Sequence, residues 1–367
     1  VEQPLRRLGE AAMTRPAHKP RGTAWARANL FATPFDAALT VGAALVAAWV
    51  GWTLLRWGVL DATWSGAGRA ACRSGGACWA MATARWPVIL VGAYPEGHRW
   101  RAAAAALSLG LALSPVLFRR APAWSWLLAP AGVVFALMIM GGSHIWPSVP
   151  ADYWGGFLLN VVIGVTGAAF ALPGGVILAY GRRSQLPVIR AVSTGFIEIV
   201  RAAPLVTVLF MASVMLPLFL PQGVRLNRLA RAMVVIVLFE SAYMAEAVRG
   251  GLQSTPAGQS EAAKALGLGP LRTALFVVLP QALRISIPAI VNSFIGLFKS
   301  TTLVFVIGLF DVTGVLRQAL ADPVWQGLDL EAYVLIAIAF WIPCFAMSRW
   351  AAVLEKRGAP APGGARA

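Results

Sequence analysis

The sequence predicts an all-α, multi-pass transmembrane helical bundle of about eight spans. Apolar runs of about 20 residues recur along the chain, the length a helix needs to cross the hydrocarbon core. Of the 367 residues, 58% are hydrophobic and only 13% charged, with mean hydropathy +0.70, whereas a soluble domain carries about 25% charge. Basic residues collect at the ends of the apolar runs and 15 Trp punctuate them, as positive-inside orientation and aromatic belts require.

The elements follow in order. Residues 1–30 are basic and Pro-rich with no apolar core, and read as a cytoplasmic tail. The first span runs from about Phe35 to Val59. A polar segment, Leu60 to Arg101, holds Cys72, Cys78 and several Trp. The second span is about Ala102 to Phe118, closed by Arg119 and Arg120, and the third about Trp124 to Met140. A Gly/Ser/Pro loop, Gly141 to Pro150, comes next. Composition changes there, separating a region 31–150 with Trp- and Pro-rich loops from a motif-dense region 151–355. The fourth span is about Trp154 to Tyr180, ended by Arg182 and Arg183. The fifth is about Ala191 to Leu220, broken at Pro204 and stopped by Pro221, and the sixth about Leu229 to Val248. A polar stretch, Arg249 to Arg284, precedes the seventh span, about Ile285 to Ile307. A mixed segment, Gly308 to Leu330, leads to the eighth, about Tyr333 to Trp350, and residues 356–367 form a second tail.

With the N-terminus inside, the inside loops and tails hold roughly 19 basic residues and the outside loops roughly 9, so both termini are expected in the cytoplasm. Cys72 and Cys78 then lie outside, where a disulfide persists. The pair admits two readings, a small stapled loop or two unpaired small residues.

Several functions are excluded. The net charge of +16 forms no basic stripe with interleaved aromatics, so nucleic-acid binding is set aside. No Cys/His spacing makes a zinc site, His18, His98 and His144 are isolated, and no metal is expected. No G-x-S-x-G turn marks a hydrolase. The run IGLFKST invites a phosphate-loop reading, but Phe298 precedes Lys299 and the second Gly of that motif is missing.

The polar stretch carries most of the chemistry. Thr255–Pro256 reads as N-cap and N1 of a short helix over 256–266. Gly267 supplies its left-handed end, and Gly269–Pro270 restarts the chain as a second helix running into Pro280. Ala262, Ala263 and Leu266 fall close together on the short helix, flanked by Glu261 and Lys264. So short a helix needs a surface to dock on, either a partner or its own bundle.

This stretch resembles the EAA loop of bacterial ABC-importer permeases: Glu261, Ala262 and Ala263, then Gly267, then Leu279–Pro280. WGGFLLNVV (154–162), FIEIVRAAPL (196–205), SAYMAEAVRGGLQS (241–254) and LPQALRISIPAIVNSFIGLFKSTTL (279–303) agree in order. Together they resemble the polar amino-acid branch, over about residues 151–350. CRSGGACWA (72–80) looks like the N-terminal addition of the general L-amino-acid, M-type subgroup. The resemblance implies a type I ABC-importer permease core with its EAA loop at 250–284. It implies a multi-pass subunit of the cell inner membrane, without enzymatic activity or cofactor of its own. ATP and Mg are bound by a partner ATPase. The implied partners are a second permease, two ATP-binding subunits and a periplasmic amino-acid-binding protein. Coupling to the ATPase falls to Glu261, Ala262, Ala263, Lys264, Leu266, Gly267, Leu279 and Pro280. Two positions depart from the family pattern: Ala202 stands where Gly is usual, and Ser300 where Asp is usual.

Charges inside spans are costly and face protein or water. Glu198 and Arg201, three apart, are expected to pair along one helix face, as are Glu246 and Arg249. Each pair reads either as part of the translocation path or as an interfacial anchor. Glu240 is deeper with no sequence-near partner, and is the candidate for contact with a substrate ammonium. Lys299, with Ser300, Thr301 and Thr302, is expected to attract a substrate carboxylate, to pair with Glu240, or to snorkel. The alternative function is a secondary, ion-coupled amino-acid transporter, although no related halves are visible; a purely structural membrane subunit ranks third.

Overall fold

The computed structural model describes residues 22–73, 75–112, 128–142, 146–219, 221 and 226–358. Among these the chain is helical without strands; Thr63 with Cys78 and Gly156 with Asp311 form isolated bridges. The chain divides into two compact units. One is the chain up to Trp64 with Ala71–Trp79; the other is Ser65–Ala70 with the chain from Ala80 onward.

The first unit holds helices α1 (Thr23–Asn29) and α2 (Pro34–Leu55). Thr33 caps α2, its Oγ1 accepting from the Asp36 amide at 3.1 Å, and Pro34 occupies a first-turn position where no amide hydrogen is needed. A π-helical turn, Arg56–Leu60, ends this helix. The following loop closes on it: Trp79 Nε1 donates to the Gly58 carbonyl (2.8 Å), and the Trp79 amide donates to the Thr63 carbonyl. Cys72 and Cys78 are disulfide-bonded, with Cα atoms 5.5 Å apart.

The second unit opens with α3 (Ala80–Val91), α4 (Arg99–Ala112) and α5 (Leu128–Gly141). The sequence places residues 80–91 inside a polar loop; they form a helix because ATARWPVILV supplies a continuous apolar face. Arg101 is fully buried. Its guanidinium donates to the carbonyls of Ile139 (2.6 Å), Met140 (3.1 Å) and Pro147 (2.9 Å), and Tyr94 Oη donates to Met140 (2.8 Å). The last carbonyls of α5, left without intrahelical partners, are thereby satisfied by a cation at the negative helix end.

The core follows: α6 (Gly156–Arg182), α7 (Pro187–Ala202), α8 (Leu205–Val214), α9 (Arg228–Ser254), α10 (Ala257–Ala265), α11 (Leu279–Ser300), α12 (Val312–Ala321) and α13 (Asp329–Gly358). Gly167 faces Ile236 and Gly175 faces Met244, so α6 and α9 run parallel. Ser286 Oγ donates to the Ala247 carbonyl and Ser293 Oγ to Glu240, so α11 runs antiparallel to α9. Gly251 meets the Ala282 carbonyl with no room for a Cβ. The three helices thus approach through small residues, the usual means by which helices pack where lipid supplies no hydrophobic drive.

Eight spans were expected; among the described residues, four helices are long and apolar enough to cross a membrane by themselves: Pro34–Leu60, Gly156–Arg182, Pro270–Ile307 and Asp329–Glu355. The pair α7–α8 makes a fifth if counted together, bent by 101° at Pro204, where the ring removes a donor and turns the preceding residue extended. Helix α9 has the length but carries Arg231, Glu240, Glu246 and Arg249. The described parts of the second and third expected spans, residues 102–112 and 128–140, lie in helices α4 and α5, and the start of the third, 124–127, lies outside the described residues. The expected end of the second, with Arg119 and Arg120, lies outside the described residues, as do His18, His144 and most of both expected tails. The seventh span begins earlier than its hydropathy suggests. Helix starts at Pro270 and continues without interruption into α11. A π-helical segment, Thr273–Val278, absorbs the missing donor and the ring of Pro280.

Candidate functional site

Four polar levels lie along the core, in the order fixed by the helix directions above.

At the first, α10 forms a short arm between α9 and α11. Thr255 does not cap it. Its hydroxyl donates back to the Gly251 carbonyl (2.9 Å), finishing α9, and Pro256 takes the N-cap place. The arm ends at Gly267, φ +78°. The Leu268 amide donates to Ala263 (3.0 Å) and the Gly267 amide to Lys264 (2.9 Å), the Schellman pattern that requires a left-handed residue. Ala263 is buried against the Thr273–Val278 segment, while Glu261, Ala262, Lys264, Leu266 and Gly267 are exposed. The alanine pair therefore does not form one outward face; Ala263 is the inner footing. Gln281 Nε2 donates to Gln259 Oε1 (3.1 Å), tying the arm to the start of α11. Leu279 is half-buried and Pro280 exposed. Beside the exposed Glu261 and Lys264, three large apolar side chains are left exposed at the end of the arm and on the helix that follows it: Leu266 (82%), Leu271 (71%) and Phe276 (74%). Leu271 and Phe276 were not expected from the sequence; the apolar pair after a Gly–Pro restart was the available signal.

At the second level Glu246 is the hub. Its Oε1 accepts from Arg182 Nη1 (2.8 Å) and its Oε2 from Arg249 Nη2 (2.7 Å), with Arg201 Nη1 at 3.8 Å. Arg182 also reaches Glu198 (3.0 Å). The expected Glu246–Arg249 pair is present. The expected Glu198–Arg201 pair is not: Glu198 turns to Arg182 on α6, and the Arg201 guanidinium lies over the Tyr243 ring, 5.4 Å from its centroid. Arg182, read from sequence only as the end of a span, is the residue that joins α6, α7 and α9.

At the third level Glu240 is buried and accepts from Ser293 Oγ (2.6 Å). It does not pair with Lys299. Lys299 stands six residues further along α11 than Ser293, about 9 Å at helical rise, and its side chain is exposed. Among the described residues Lys299 has no carboxylate within ion-pair distance.

The fourth level was not expected. Asn160, fully buried, donates from Nδ2 to Thr301 Oγ1 (3.0 Å) and Asp311 Oδ2 (3.0 Å), and its Oδ1 accepts from the Val312 amide (3.1 Å). Asp311 caps α12 through the Gly314 amide (2.9 Å). Burial pushes its carboxyl above the usual carboxylate range, opposed by the hydrogen bonds from Asn160, Gly314 and Thr313. Thr301 is therefore committed to structure, its hydroxyl also donating to Phe298. Thr302 bonds the Lys299 carbonyl and Ser300 is half-buried. The DVTG run at 311–314, Asp followed three residues later by Gly at a helix start, was the available signal.

An α-helical core with broken and unevenly charged spans, a footed arm on one side and an ion-pair hub beneath it defines a membrane-embedded transport subunit. Residues 171–359 match the family of binding-protein-dependent transport system inner membrane components, and the chain belongs to that family. It is 44% identical over 345 residues to the inner membrane amino-acid ABC transporter permease protein YhdY of Escherichia coli, covering 92% of this chain and 93% of the relative. It is 36% identical over 406 residues to the glutamate/glutamine/aspartate/asparagine transport system permease protein BztC of Rhodobacter capsulatus, with 91% and 93% coverage. The crystal structure of an amino acid ABC transporter with histidines aligns at TM-score 0.48 and 26% identity, over 55% of this chain and 91% of that one. Ion-coupled secondary transport, the alternative from sequence, finds no support in the matching family or in the two permease relatives.

Proposed function

We propose that this chain is the permease half of an ATP-driven, binding-protein-dependent L-amino-acid importer, coupled to a separate ATPase through α10. Both termini and the arm face the cytoplasm. The partners are a second, homologous permease, two ATP-binding subunits and a periplasmic binding protein, and ATP and Mg belong to the ATPase. The observation that carries the coupling role is the arm itself. It is held to its own chain by Ala263 and Gln259, while Leu266 at its end and Leu271 and Phe276 on the helix that follows stay exposed. A force on this face passes into the helical stretch that begins at Pro270 and runs past Thr301 to Ile307. Glu261, Ala262, Lys264 and Gly267 shape the outer face; Ala263, Leu279 and Pro280 its footing.

The amino-acid path is assigned to the Glu240 level, where a buried carboxylate meets Ser293; the acid is suited to an ammonium group, and Lys299 and Ser300 above it to a carboxylate. Glu198, Arg201, Glu246 and Arg249 border the path on the arm side, and Thr301 and Thr302 close it at the other. Placing Val at 267 tests the coupling. At φ +78° a β-branched residue is strained by roughly 1–2 kcal/mol, enough to unmake the arm's cap while leaving the spans in place. G267V is expected to lose ATPase co-purification and ATP-driven uptake. Unchanged association and uptake would refute coupling through α10.

A further inference from the structure

The N-terminal region reaches the core at the end opposite α10. The Arg69 amide donates to the Val324 carbonyl (2.9 Å), and Arg69 Nη1 to the Gln326 carbonyl (2.8 Å). Gly68 lies so close that a Cβ would stand 2.8 Å from Val324 Cγ1. On α3, Arg85 Nη2 pairs with Asp322 Oδ2 at 2.7 Å, while Asp322 Oδ1 accepts from the Val324 amide at 3.0 Å. Asp322 thus folds the loop with one oxygen and ties it to α3 with the other. At the far end of α3, the Gly156 amide donates to the Phe310 carbonyl (2.9 Å) and Ile89–Gly92 lie against Gly155 and Gly156.

These contacts converge on one element. Helix α12 is held at its start by Asp311, through Asn160 of α6 and next to Thr301 at the end of α11. It is held past its end by Arg69 and Arg85. A shift of α11 against α6 disturbs the Asn160–Thr301–Asp311 bonds and is handed to α12, whose other end is fixed to the N-terminal region. The core packs on α12 as well, through α6 and α13, and the bonds from Arg69 and Arg85 add a second hold on the loop past its end.

We propose that Arg69 and Arg85 are positioning residues: with Asp322 they fasten α12 to the accessory region and limit the movement of the Thr301 end of α11, restraining the transporter from switching when no substrate is delivered. This rests on the permease reading above.

The test uses the assembled transporter, with its partner subunits, in liposomes. R85A, D322N, the double variant and R69Q are compared for ATP hydrolysis with and without amino-acid-loaded binding protein. Removing a half-exposed ion pair shifts an equilibrium by about two- to fivefold. The substrate-independent rate is therefore expected to rise about two- to fivefold in R85A and in D322N. The double variant should rise no further than either single one, R85K should stay near the parent, and R69Q should move the same way. Assembled variants that keep the parent's ratio of basal to stimulated hydrolysis would overturn the proposal, as would additive effects of R85A and D322N. R69Q leaves the Arg69 backbone bond intact, so it decides the matter where R85A fails to assemble. Failure of the permease reading looks different: the parent itself would show no ATP-dependent uptake.

Discussion

Helices Pro34–Leu60 and Gly156–Arg182 are both 27 residues long, with mean hydropathies of 1.8 and 2.1. One buries none of its residues; the other is the centre of the larger unit. Hydropathy earns both a place in the bilayer, and it does not choose their neighbours. Helix α6 has what α2 lacks. Gly164, Gly167, Gly174 and Gly175 lie in contact with Phe298, Leu297, Ser241 and Met244, whereas Gly42 and Gly51 of α2 face open space. Helix α6 also carries a polar anchor near each end, Asn160 to α12 and Arg182 to α9, while the charges of α2 bond locally, Asp36 to Thr33 and Arg56 to Asp61. Small residues permit close approach and polar ones fix the partner.

Equal substitutions break this comparison most sharply. A valine at 175 overlaps Met244 Cβ and brings a Cβ to 2.9 Å from the Ala245 nitrogen, which is backbone and cannot move aside. G175V is expected to cost roughly 3 kcal/mol, and G51V to stay within about 0.5 kcal/mol, in thermal unfolding in mild detergent. Similar losses for the two would show that α2 is packed after all. A smaller effect follows from the hub. E246Q leaves Arg182 and Arg249 short of their shared anion; with Glu246 only 18% exposed and the arginines about one-third exposed, the loss is about 1–2 kcal/mol after allowance for solvent. Uptake should fall with it, because three helices lose their common tie. Wild-type melting together with wild-type uptake would remove Glu246 from the path.

What could be read from the sequence was local. The Gly267 cap and the Glu246–Arg249 pair lie within single turns, where spacing alone sets geometry, and both are present. Glu198 and Arg201 have that same spacing, yet Arg182 outcompetes Arg201 from another helix, which no window of one helix contains. A Lys299–Glu240 pair, one of three readings open for that lysine, depends on relative height along antiparallel helices, which spacing does not carry; Ser293 sits at the height of Glu240 instead. The Asn160–Asp311 and Arg85–Asp322 bonds join residues 151 and 237 positions apart, and only the packed fold brings them together.

The smallest effect separates a hub from its rim. Arg182 holds two carboxylates, Glu246 at 2.8 Å and Glu198 at 3.0 Å, but Glu198 is 61% exposed. Water competes for its charge, and Arg182 remains anchored when it is gone, so E198Q is expected to cost less than about 0.5 kcal/mol. R182Q, by contrast, strips both carboxylates of one donor and should approach the cost of E246Q. The E198Q/E246Q pair sharpens the contrast further. Once Glu246 is neutral, Glu198 is the remaining anion for Arg182, and its removal should then cost more than it does alone. Strictly additive melting shifts in that cycle would mean that Arg182 serves two independent surface pairs, and that α6 is anchored near this end by its glycines without help from charge.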